Sequence, residues 1–210
     1  MTDYFADALT HVDQIRDLYD QPSEMARKKA IGHLDERSRE FVAASGLVFL
    51  ASVDGDGHCD VTPRGGPAGF VSVLDDRHLA IPDATGNKRL DTMHNVVVTG
   101  RLGLVFLIVG RGQTLRVNGR ACVTANPELV ESLTPVGKPP RSALVVQVEE
   151  VYAHCPKAFV RSGAWKPETW PSATVGPDAA ELVHAHLGVE GLTVDQVRQD
   201  QRDSLRYRLD

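Results

Sequence analysis

The stretch Gly46–Pro63, GLVFLASVDGDGHCDVTP, decides the fold. It opens with an apolar and β-branched run over residues 46–53 and closes with a second run over residues 58–63. Between the two runs lies Asp54-Gly55-Asp56-Gly57, and turn residues between two such runs are a strong signal for a β-hairpin. The sequence therefore predicts a chain whose middle part is built from antiparallel strands joined by short turns.

Short apolar and β-branched runs bounded by turn residues continue to about Cys155. A helix at about residues 87–98 and a short helix at about residues 127–133 interrupt it. The further predicted strands are residues 69–74, 77–82, 101–109, 114–124 and 142–155. Six or seven antiparallel strands with one inserted helix favour a small β-barrel over a parallel sheet.

Helical segments flank the predicted strands. Apolar residues recur at helical spacing before residue 44, with a break at residues 21–23, and polar helical patterns follow Pro156. We therefore expect a helical N-terminal extension (residues 1–44), a barrel (residues 45–170) and a helical C-terminal tail (residues 171–210).

Composition narrows the classes of partner. The net charge of −5 and the pI of about 5.9 argue against the basic field that nucleic acids or anionic membranes require. The three cysteines are an odd number without framework spacing, which is typical of reduced thiols in a cytosolic protein. The N-terminus has no signal-peptide pattern, and no apolar run approaches the length of a membrane span. We expect a soluble cytoplasmic protein with no nucleic-acid or membrane partner.

Several familiar catalytic signatures are missing. The sequence has no G-x-S-x-G elbow, no Walker loop and no G-x-G-x-x-G between a strand and a helix, so acyl transfer, NTP hydrolysis and Rossmann-type binding lose support. His58-Cys59 and His154-Cys155 are adjacent pairs on predicted strands, and adjacent strand residues point to opposite faces. We expect no metal site.

Two adjacent cations stand at the predicted start of a helix. Asn87, Lys88 and Arg89 follow Gly86. The helix dipole disfavours cations at this end, but together with free backbone N–H groups the two cations would hold a phosphate. The alternative is a pair of solvated surface cations.

Two further arginines stand in unusual places. Arg64 lies between Pro63 and Gly65, and glycines let another chemical group approach the backbone closely. Arg116 lies inside an apolar strand, where its side chain should face away from those of Leu115 and Val117. Each could also be a solvated surface cation, and Arg116 could pair with an acidic neighbour.

Four segments carry a resemblance to a known family. They are FLASVDGDGHCDVTPRGG (49–66), HLAIPDATGNKRLDTMHNV (78–96), RLGLVFLIVGRGQTLRVNGRA (101–121) and HCPKAFVRSGAW (154–165). In their order and spacing the chain resembles, over about residues 35–170, the FMN-binding split barrels related to pyridoxamine 5′-phosphate oxidase, in a bacterial branch with a helical N-terminal extension. The resemblance implies a mainly β chain with flanking helices: a six-stranded antiparallel split β-barrel that forms a homodimer, with one FMN in each of two clefts at the subunit interface.

The resemblance also assigns site residues. Arg64 matches the arginine that meets the FMN phosphate, and Lys88 and Arg89 belong to the segment that completes that phosphate site. The resemblance places Arg116 at the border of the cleft. Because a guanidinium stays charged and offers a planar fork of donors, Arg116 is also the candidate for orienting the substrate during catalysis. The implied cofactor-binding residues are Thr62, Pro63, Arg64, Gly65, Pro82, Asp83, Asn87, Lys88, Arg89, Gln113, Thr114 and Trp165.

The chain departs from the vitamin B6 oxidases after Arg64. Those enzymes continue with apolar residues and a lysine that holds the substrate phosphate, whereas this chain has Gly65, Gly66 and Gly69 in that region. We therefore expect a wider cleft that is poorer in anion ligands, and little or no turnover of pyridoxamine or pyridoxine phosphate.

Three functions agree with this sequence. The first is an FMN-dependent oxidoreductase that acts on a small molecule by hydride transfer at the flavin N5, which would explain why no acid–base pair stands out. The second is a reductase on the same fold that uses the deazaflavin F420. The third is a non-catalytic flavin-binding protein.

Overall fold

The structure is a computed structural model that describes residues 3–84, 86–172 and 174–207. The predicted N-terminal extension begins at residue 1 and the predicted tail ends at residue 210, and both residues lie outside these ranges. The predicted domain limits stay predictions. The chain divides into two compact units, Met1–Ala30 and Ile31–Asp210. Among the described helices, none combines the length and the hydrophobicity needed to span a bilayer.

The first unit contains two short helices, α1 (Val12–Leu18) and α2 (Glu24–Lys28). The Gln14 side chain accepts the N–H of His11 at 2.9 Å, and the Ser23 hydroxyl accepts the N–H of Ala26 at 3.2 Å. These bonds satisfy backbone donors that a helix start leaves free. The predicted break at residues 21–23 falls between the two helices.

The second unit carries seven strands and six helices among its described residues. The strands are β1 (Leu47–Val53), β2 (Cys59–Gly65), β3 (Ser72–Val73), β4 (His78–Pro82), β5 (Arg101–Leu107), β6 (Thr114–Thr124) and β7 (Ala143–His154). The helices are α3 (Glu36–Ala44), α4 (Asp91–Thr99), α5 (Pro127–Ser132), α6 (Lys157–Ser162), α7 (Ala179–Leu187) and α8 (Val194–Tyr207), with a 3-10 turn at Pro167–Thr169.

The strands form one antiparallel sheet in the order β2-β1-β5-β6-β7-β4-β3, so β2 and β3 are its edges. The prediction of a mainly β chain with flanking helices is confirmed. The described strands make an open sheet of seven, and the six-stranded barrel stays a prediction.

The helix before β5 begins later than the sequence predicts. We expected it to start at about Asn87, whereas α4 starts at Asp91. Lys88 and Leu90 have φ angles of 63° and 60°, which a right-handed helix does not allow. The predicted start is therefore wrong by about one turn, and Lys88 and Arg89 lie in the connection that precedes α4.

The main core lies on the inner face of the sheet, under α3 and α4. Along β1 the buried residues Val48, Leu50 and Ser52 alternate with less buried ones, as a half-buried strand requires. Val42 of α3 and Val96 of α4 belong to the same buried cluster. This packing fixes which side chains of the neighbouring edge strand β2 face inward.

A register shift between Asn118 and Gly119 interrupts the β6–β7 ladder. Asn118 pairs with Glu150 and Gly119 with Val148, so Glu149 is an extra residue in β7. The bulge shifts the buried positions of β7 from Val148 to Val151. A Cβ at Gly119 would lie 2.0 Å from the backbone oxygen of Gln147, so the bulge requires glycine here.

We expect Gly119→Ala to destabilise the protein by at least about 1–3 kcal/mol, because the added methyl group forces the two strands apart. The midpoint of urea denaturation measures this change. Gly32→Ala is the control, since its Cβ would lie at an ordinary 3.5 Å from its nearest neighbour. Equal midpoints for the two variants would show that the bulge tolerates a side chain.

Candidate functional site

A cavity of about 710 Å³ opens beside the edge strand β2. Three segments line it: β2, the connection from β4 into α4 with the first turn of that helix, and the connection between β6 and β7. The charged residues of its lining are Asp60, Arg64, Asp83, Lys88, Arg89, Asp91, Lys138 and Arg141. Five cations thus face three carboxylates in a protein whose net charge is −5.

The strand period places Thr62 and Arg64 on the inner side of β2. Thr62 pairs with the buried Leu50 and Arg64 with the buried Val48. One guanidinium nitrogen of Arg64, Nη1, donates to the Thr62 hydroxyl at 2.8 Å and to the Pro63 carbonyl at 2.9 Å. Since a guanidinium has five N–H donors, these bonds fix the group and leave donors for a ligand.

The connection into α4 is strained where it lines the cavity. Lys88 and Leu90 both adopt the left-handed conformation, which costs about 1–2 kcal/mol per residue without glycine. The Asn87 side chain accepts the N–H of Arg89 at 3.0 Å, and Arg89 Nε donates to Asp91 at 2.7 Å. Leu90, at the N-cap, gives the first turn of α4 no side-chain acceptor. Backbone strain of this kind clusters at functional sites.

Asp83 is one of three partly buried carboxylates that line the cavity. Its backbone N–H donates to the Ser142 carbonyl at 2.9 Å, which ties the end of β4 to the start of β7. Burial raises the pKa of Asp83 above its usual value, while the N–H of Ala84 and the charges of Arg64 and Arg141 lower it less. Asp83 therefore resists ionisation although cations surround it.

Sequence reasoning missed Lys138 and Arg141. They lie in the proline-rich connection between β6 and β7, and both line the cavity. The available signal was two cations that flank Pro139 and Pro140 in a long connection. That pattern alone does not indicate where the loop packs.

The cavity collects eight of the predicted site residues. They are Thr62, Pro63, Arg64, Gly65, Asp83, Asn87, Lys88 and Arg89. Pro82 is buried at the end of β4, directly before Asp83. Gln113, Thr114, Arg116 and Trp165 are not among the described residues that line it.

These four residues lie elsewhere in the second unit. Thr114 opens β6 opposite His154, and Arg116 Nη1 donates to the Tyr152 hydroxyl at 3.0 Å. Trp165 stacks on Phe159 with ring centroids 5.4 Å apart. Its buried indole N–H has no hydrogen-bond partner among the described residues.

Of the glycines after Arg64, Gly65 lines the cavity, whereas Gly66 and Gly69 are required by packing and by a turn. A Cβ at Gly66 would lie 2.8 Å from Phe70 and 2.9 Å from Val136, so these side chains fill that space. Gly69 has a φ of +80° and belongs to a turn against Ala43. Lys138 and Arg141 add two cations to the cavity. The expectation that the cleft is wider and poorer in anion ligands than in the vitamin B6 oxidases stays a prediction.

Asp54, Asp56 and His58 bring possible metal-ligating atoms within 4.8 Å of one another at the β1–β2 turn. The Asp54 carboxylate accepts the backbone N–H groups of Asp56 and His58 at 2.9 and 2.8 Å and contacts the His58 ring at 2.9 Å. These contacts close the turn, as aspartate does in tight connections.

We expect Asp83→Asn to raise the melting temperature at pH 7, because the amide avoids the desolvation of a buried carboxylate. A carboxyl whose pKa is raised by folding destabilises the native state above that pKa, and this penalty disappears as the pH falls towards its unfolded pKa. The gain should therefore shrink as the pH is lowered to about 4, near the reference pKa of aspartate. Thermal denaturation from pH 4 to pH 8 measures it.

The control for this change is Asp56→Asn, which alters an exposed carboxylate outside the cavity. Its effect on the melting temperature should be smaller at pH 7. A lower melting temperature for Asp83→Asn at pH 7 would contradict the account, because it would mean that the cations stabilise the carboxylate more than burial penalises it.

Comparison with known proteins places these features in a family. The profile of the pyridoxamine 5′-phosphate oxidase family matches residues 34–155, which is more than half of the chain. This range contains every strand of the sheet and the whole lining of the cavity. A search of curated proteins finds no match.

Solved structures are similar to part of this chain at low sequence identity. A putative pyridoxamine 5′-phosphate oxidase from Lactobacillus delbrueckii is 24% identical with a TM-score of 0.45, covering 58% of this chain and 95% of its own. HupZ of Group A Streptococcus is 17% identical with a TM-score of 0.45, covering 56% and 90%. HutZ, the heme storage protein of Vibrio cholerae, is 13% identical with a TM-score of 0.37, covering 58% and 94%.

With TM-scores below 0.5, these likenesses carry no conclusion about the ligand of this chain. The profile match is the stronger result because it spans the complete sheet. The chain belongs to the pyridoxamine 5′-phosphate oxidase family.

Proposed function

We propose that this protein is an FMN-dependent oxidoreductase that acts on a small molecule by hydride transfer at the flavin N5. The observation that carries the proposal is the cavity where Arg64, Lys88 and Arg89 meet in an otherwise acidic protein. Local positive charge of this kind suits a phosphate monoester. Family membership supports a flavin as its carrier.

The cavity has the size and the chemistry for this cofactor. Its volume of about 710 Å³ falls within the roughly 300–1,000 Å³ of typical cofactor sites. FMN would supply the redox chemistry, while the residues of the chain bind it, orient it and limit the access of water. Asp83 and Thr62 would border the rest of the molecule, away from the phosphate.

The phosphate ligands would act in different ways. Arg64 is fixed by two hydrogen bonds and keeps further N–H donors for the phosphate oxygens. Lys88 is exposed at the cavity and forms no ion pair with another described residue, so its charge is available. The first turn of α4 adds backbone N–H groups that its N-cap side chain leaves free.

We further propose that a second copy of the chain completes the site. Gln113, Thr114, Arg116 and Trp165 lie away from the Arg64 cavity in one protomer, so a homodimer would have to bring them to it. The outer sheet face supports this arrangement. Across β2, β1, β5, β6 and β7 it carries one row of paired residues: Pro63, Phe49, Val105, Arg116 and Tyr152.

This outer face is apolar at the β2 edge and charged further along. Val61 is 66% exposed and Val53 is 40% exposed, which is unusual for valines on regular strands. Arg116 donates to the Tyr152 hydroxyl, its guanidinium lies 5.9 Å from the ring centroid, and it forms no ion pair with a described acidic residue. We propose that Arg116 orients the substrate from this face.

The proposed setting is the cytoplasm. Cys59, Cys122 and Cys155 are exposed free thiols, and exposed thiols persist in reducing compartments.

We expect Arg64→Ala, Lys88→Ala and Arg89→Ala each to weaken FMN binding about ten- to a hundredfold. The loss of one charge-assisted hydrogen bond costs about 1.5–3 kcal/mol, which corresponds to this range. Riboflavin lacks the phosphate, so its affinity should change far less. Fluorescence titration of both flavins measures the difference.

Arg111→Ala serves as the control, because Arg111 is exposed outside the cavity. Equal losses of FMN and riboflavin affinity would mean that the three cations support the fold rather than the phosphate. Tight binding of F420 with no binding of FMN would replace the proposed cofactor.

For the dimer, we expect Val61→Glu to weaken self-association at least about a hundredfold, because an unpaired charge buried in an interface costs several kcal/mol. In the separate protomer Val61 is exposed, so the variant should still fold. Sedimentation equilibrium measures the dimer, and FMN content should fall with it.

Val175→Glu is the matched control, since this residue is 69% exposed and belongs to no strand. A wild-type protein that is monomeric yet fully loaded with FMN would contradict the two-copy site.

A further inference from the structure

Two side-chain hydrogen bonds tie α4 to the β1–β2 hairpin. The Thr92 hydroxyl donates to Asp60 Oδ2 at 3.1 Å. One helical turn later, Asn95 Nδ2 donates to the Ser52 hydroxyl at 3.0 Å. Asp60 and Ser52 are paired across β2 and β1, and residues three apart in a helix lie on the same face. The four side chains therefore form one polar contact between the helix and the hairpin.

This polar contact fixes the position of α4 more sharply than its apolar packing does. Apolar packing has no direction, whereas a hydrogen bond requires a defined distance and angle. Thr92, Asn95 and Ser52 are buried, so a lost bond would leave a buried polar group unsatisfied. Turning the helix about its axis, or sliding it along the hairpin, would break both bonds.

The two bonds differ in their relation to the cavity. Asp60 and Thr92 line it, whereas Ser52 and Asn95 are not among its described lining residues. A carboxylate in a cavity that binds a phosphate repels the ligand. The hydrogen bond from Thr92, the second residue of α4, gives Asp60 a role that compensates for this repulsion.

The start of α4 depends on this bond. Its N-cap residue, Leu90, has no polar side chain, and the connection before it has left-handed backbone at Lys88 and Leu90. A hydrogen bond to Asp91 raises the pKa of Arg89, and the charge of Asp60 raises it further. Asp60 therefore acts on both sides of the N-cap, by attraction on Arg89 and by a hydrogen bond on Thr92.

We infer that Asp60 and Thr92 are positioning residues, whose hydrogen bond holds the first turn of α4 where its backbone N–H groups meet the phosphate. This inference rests on the proposed function, in which the phosphate belongs to FMN. Asp60 and Arg64 lie on the same side of β2, four residues apart. One strand then supplies Arg64 to the phosphate directly and places the helix N–H groups through Asp60.

The test compares the FMN and riboflavin affinities of Thr92→Val by fluorescence titration. Valine is close to threonine in volume but cannot donate a hydrogen bond to Asp60. We expect FMN affinity to fall at least tenfold, because the N–H groups move away from the phosphate. Riboflavin has no phosphate, so its affinity should change less than threefold.

Two conservative variants should bind FMN at no less than a third of the wild-type affinity. Thr92→Ser keeps the hydroxyl, and Asp60→Asn keeps an oxygen that accepts it. Thr99→Val is the matched control, because it removes a hydroxyl from the last turn of the same helix. Thr99 donates to the Asn95 carbonyl at 2.8 Å and does not line the cavity. The FMN affinity of this control should equal that of wild type.

Amide hydrogen exchange tests the positioning role without a ligand. The His94 N–H donates to the Leu90 carbonyl at 2.9 Å in the first turn of α4, and the Gly100 N–H donates to the Val96 carbonyl at 2.8 Å at the other end. In flavin-free Thr92→Val the His94 amide should exchange at least tenfold faster than in wild type, because the first turn opens more often. The Gly100 amide should keep its rate.

Three results would overturn the inference. They are an unchanged His94 exchange rate, an FMN affinity of Thr92→Val that falls less than tenfold or no more than that for riboflavin, and a Thr92→Ser variant that binds FMN as weakly as Thr92→Val. Failure of the proposed function looks different, because wild type then binds no FMN. The His94 exchange rate still decides the positioning role in that case, since faster exchange supports it and an unchanged rate overturns it.

Discussion

The register of the β1–β2 hairpin is the constraint on which the site depends. Pairing of Val48 with Arg64 and of Leu50 with Thr62 turns both polar side chains inward, while Val61 and Pro63 face outward. A slip of one residue would exchange these two sets. Asp54, which accepts the N–H groups of Asp56 and His58, and the tight turn around it hold this register.

Several features that do not favour stability converge on one cavity. Lys88 and Leu90 carry backbone strain, Asp83 carries a carboxylate that burial disfavours, and Lys138 adds an exposed cation to the lining. Each is more easily explained by a ligand than by folding, since local violations of structural rules collect at functional sites. The common chemistry is the recognition of anions in a protein of net negative charge.

Much of the fold could be predicted because its signals are local. β6 has the bounds that the sequence predicts, Thr114–Thr124, since turn residues flank an uninterrupted strand pattern. The segment 69–74 contributes the short strand Ser72–Val73, because Gly69 turns the chain and Phe70 is drawn into the core. The late start of α4 depends on positive φ angles at Lys88 and Leu90. Lysine and leucine rarely adopt positive φ angles, so the sequence does not indicate them.

Some residues of the candidate site could likewise be predicted from local sequence signals, and others could not. The cations of β2 and of the segment before α4 could be singled out because they stand beside glycines and a helix start. Lys138 and Arg141 could not, since the packing of Val136 on Gly66 places their loop, and that contact joins residues 70 positions apart in the sequence. Likewise, no local pattern shows that Thr114 and Trp165 lie away from the Arg64 cavity in one protomer.

The most direct test of the central claim is the identity of the small molecule that copurifies with the protein. Mass spectrometry of the released ligand, with absorbance to measure its stoichiometry, settles both its nature and its amount. The account predicts FMN at one molecule per chain. Haem, F420 or a protein that contains no flavin and takes up none when FMN is added would contradict it.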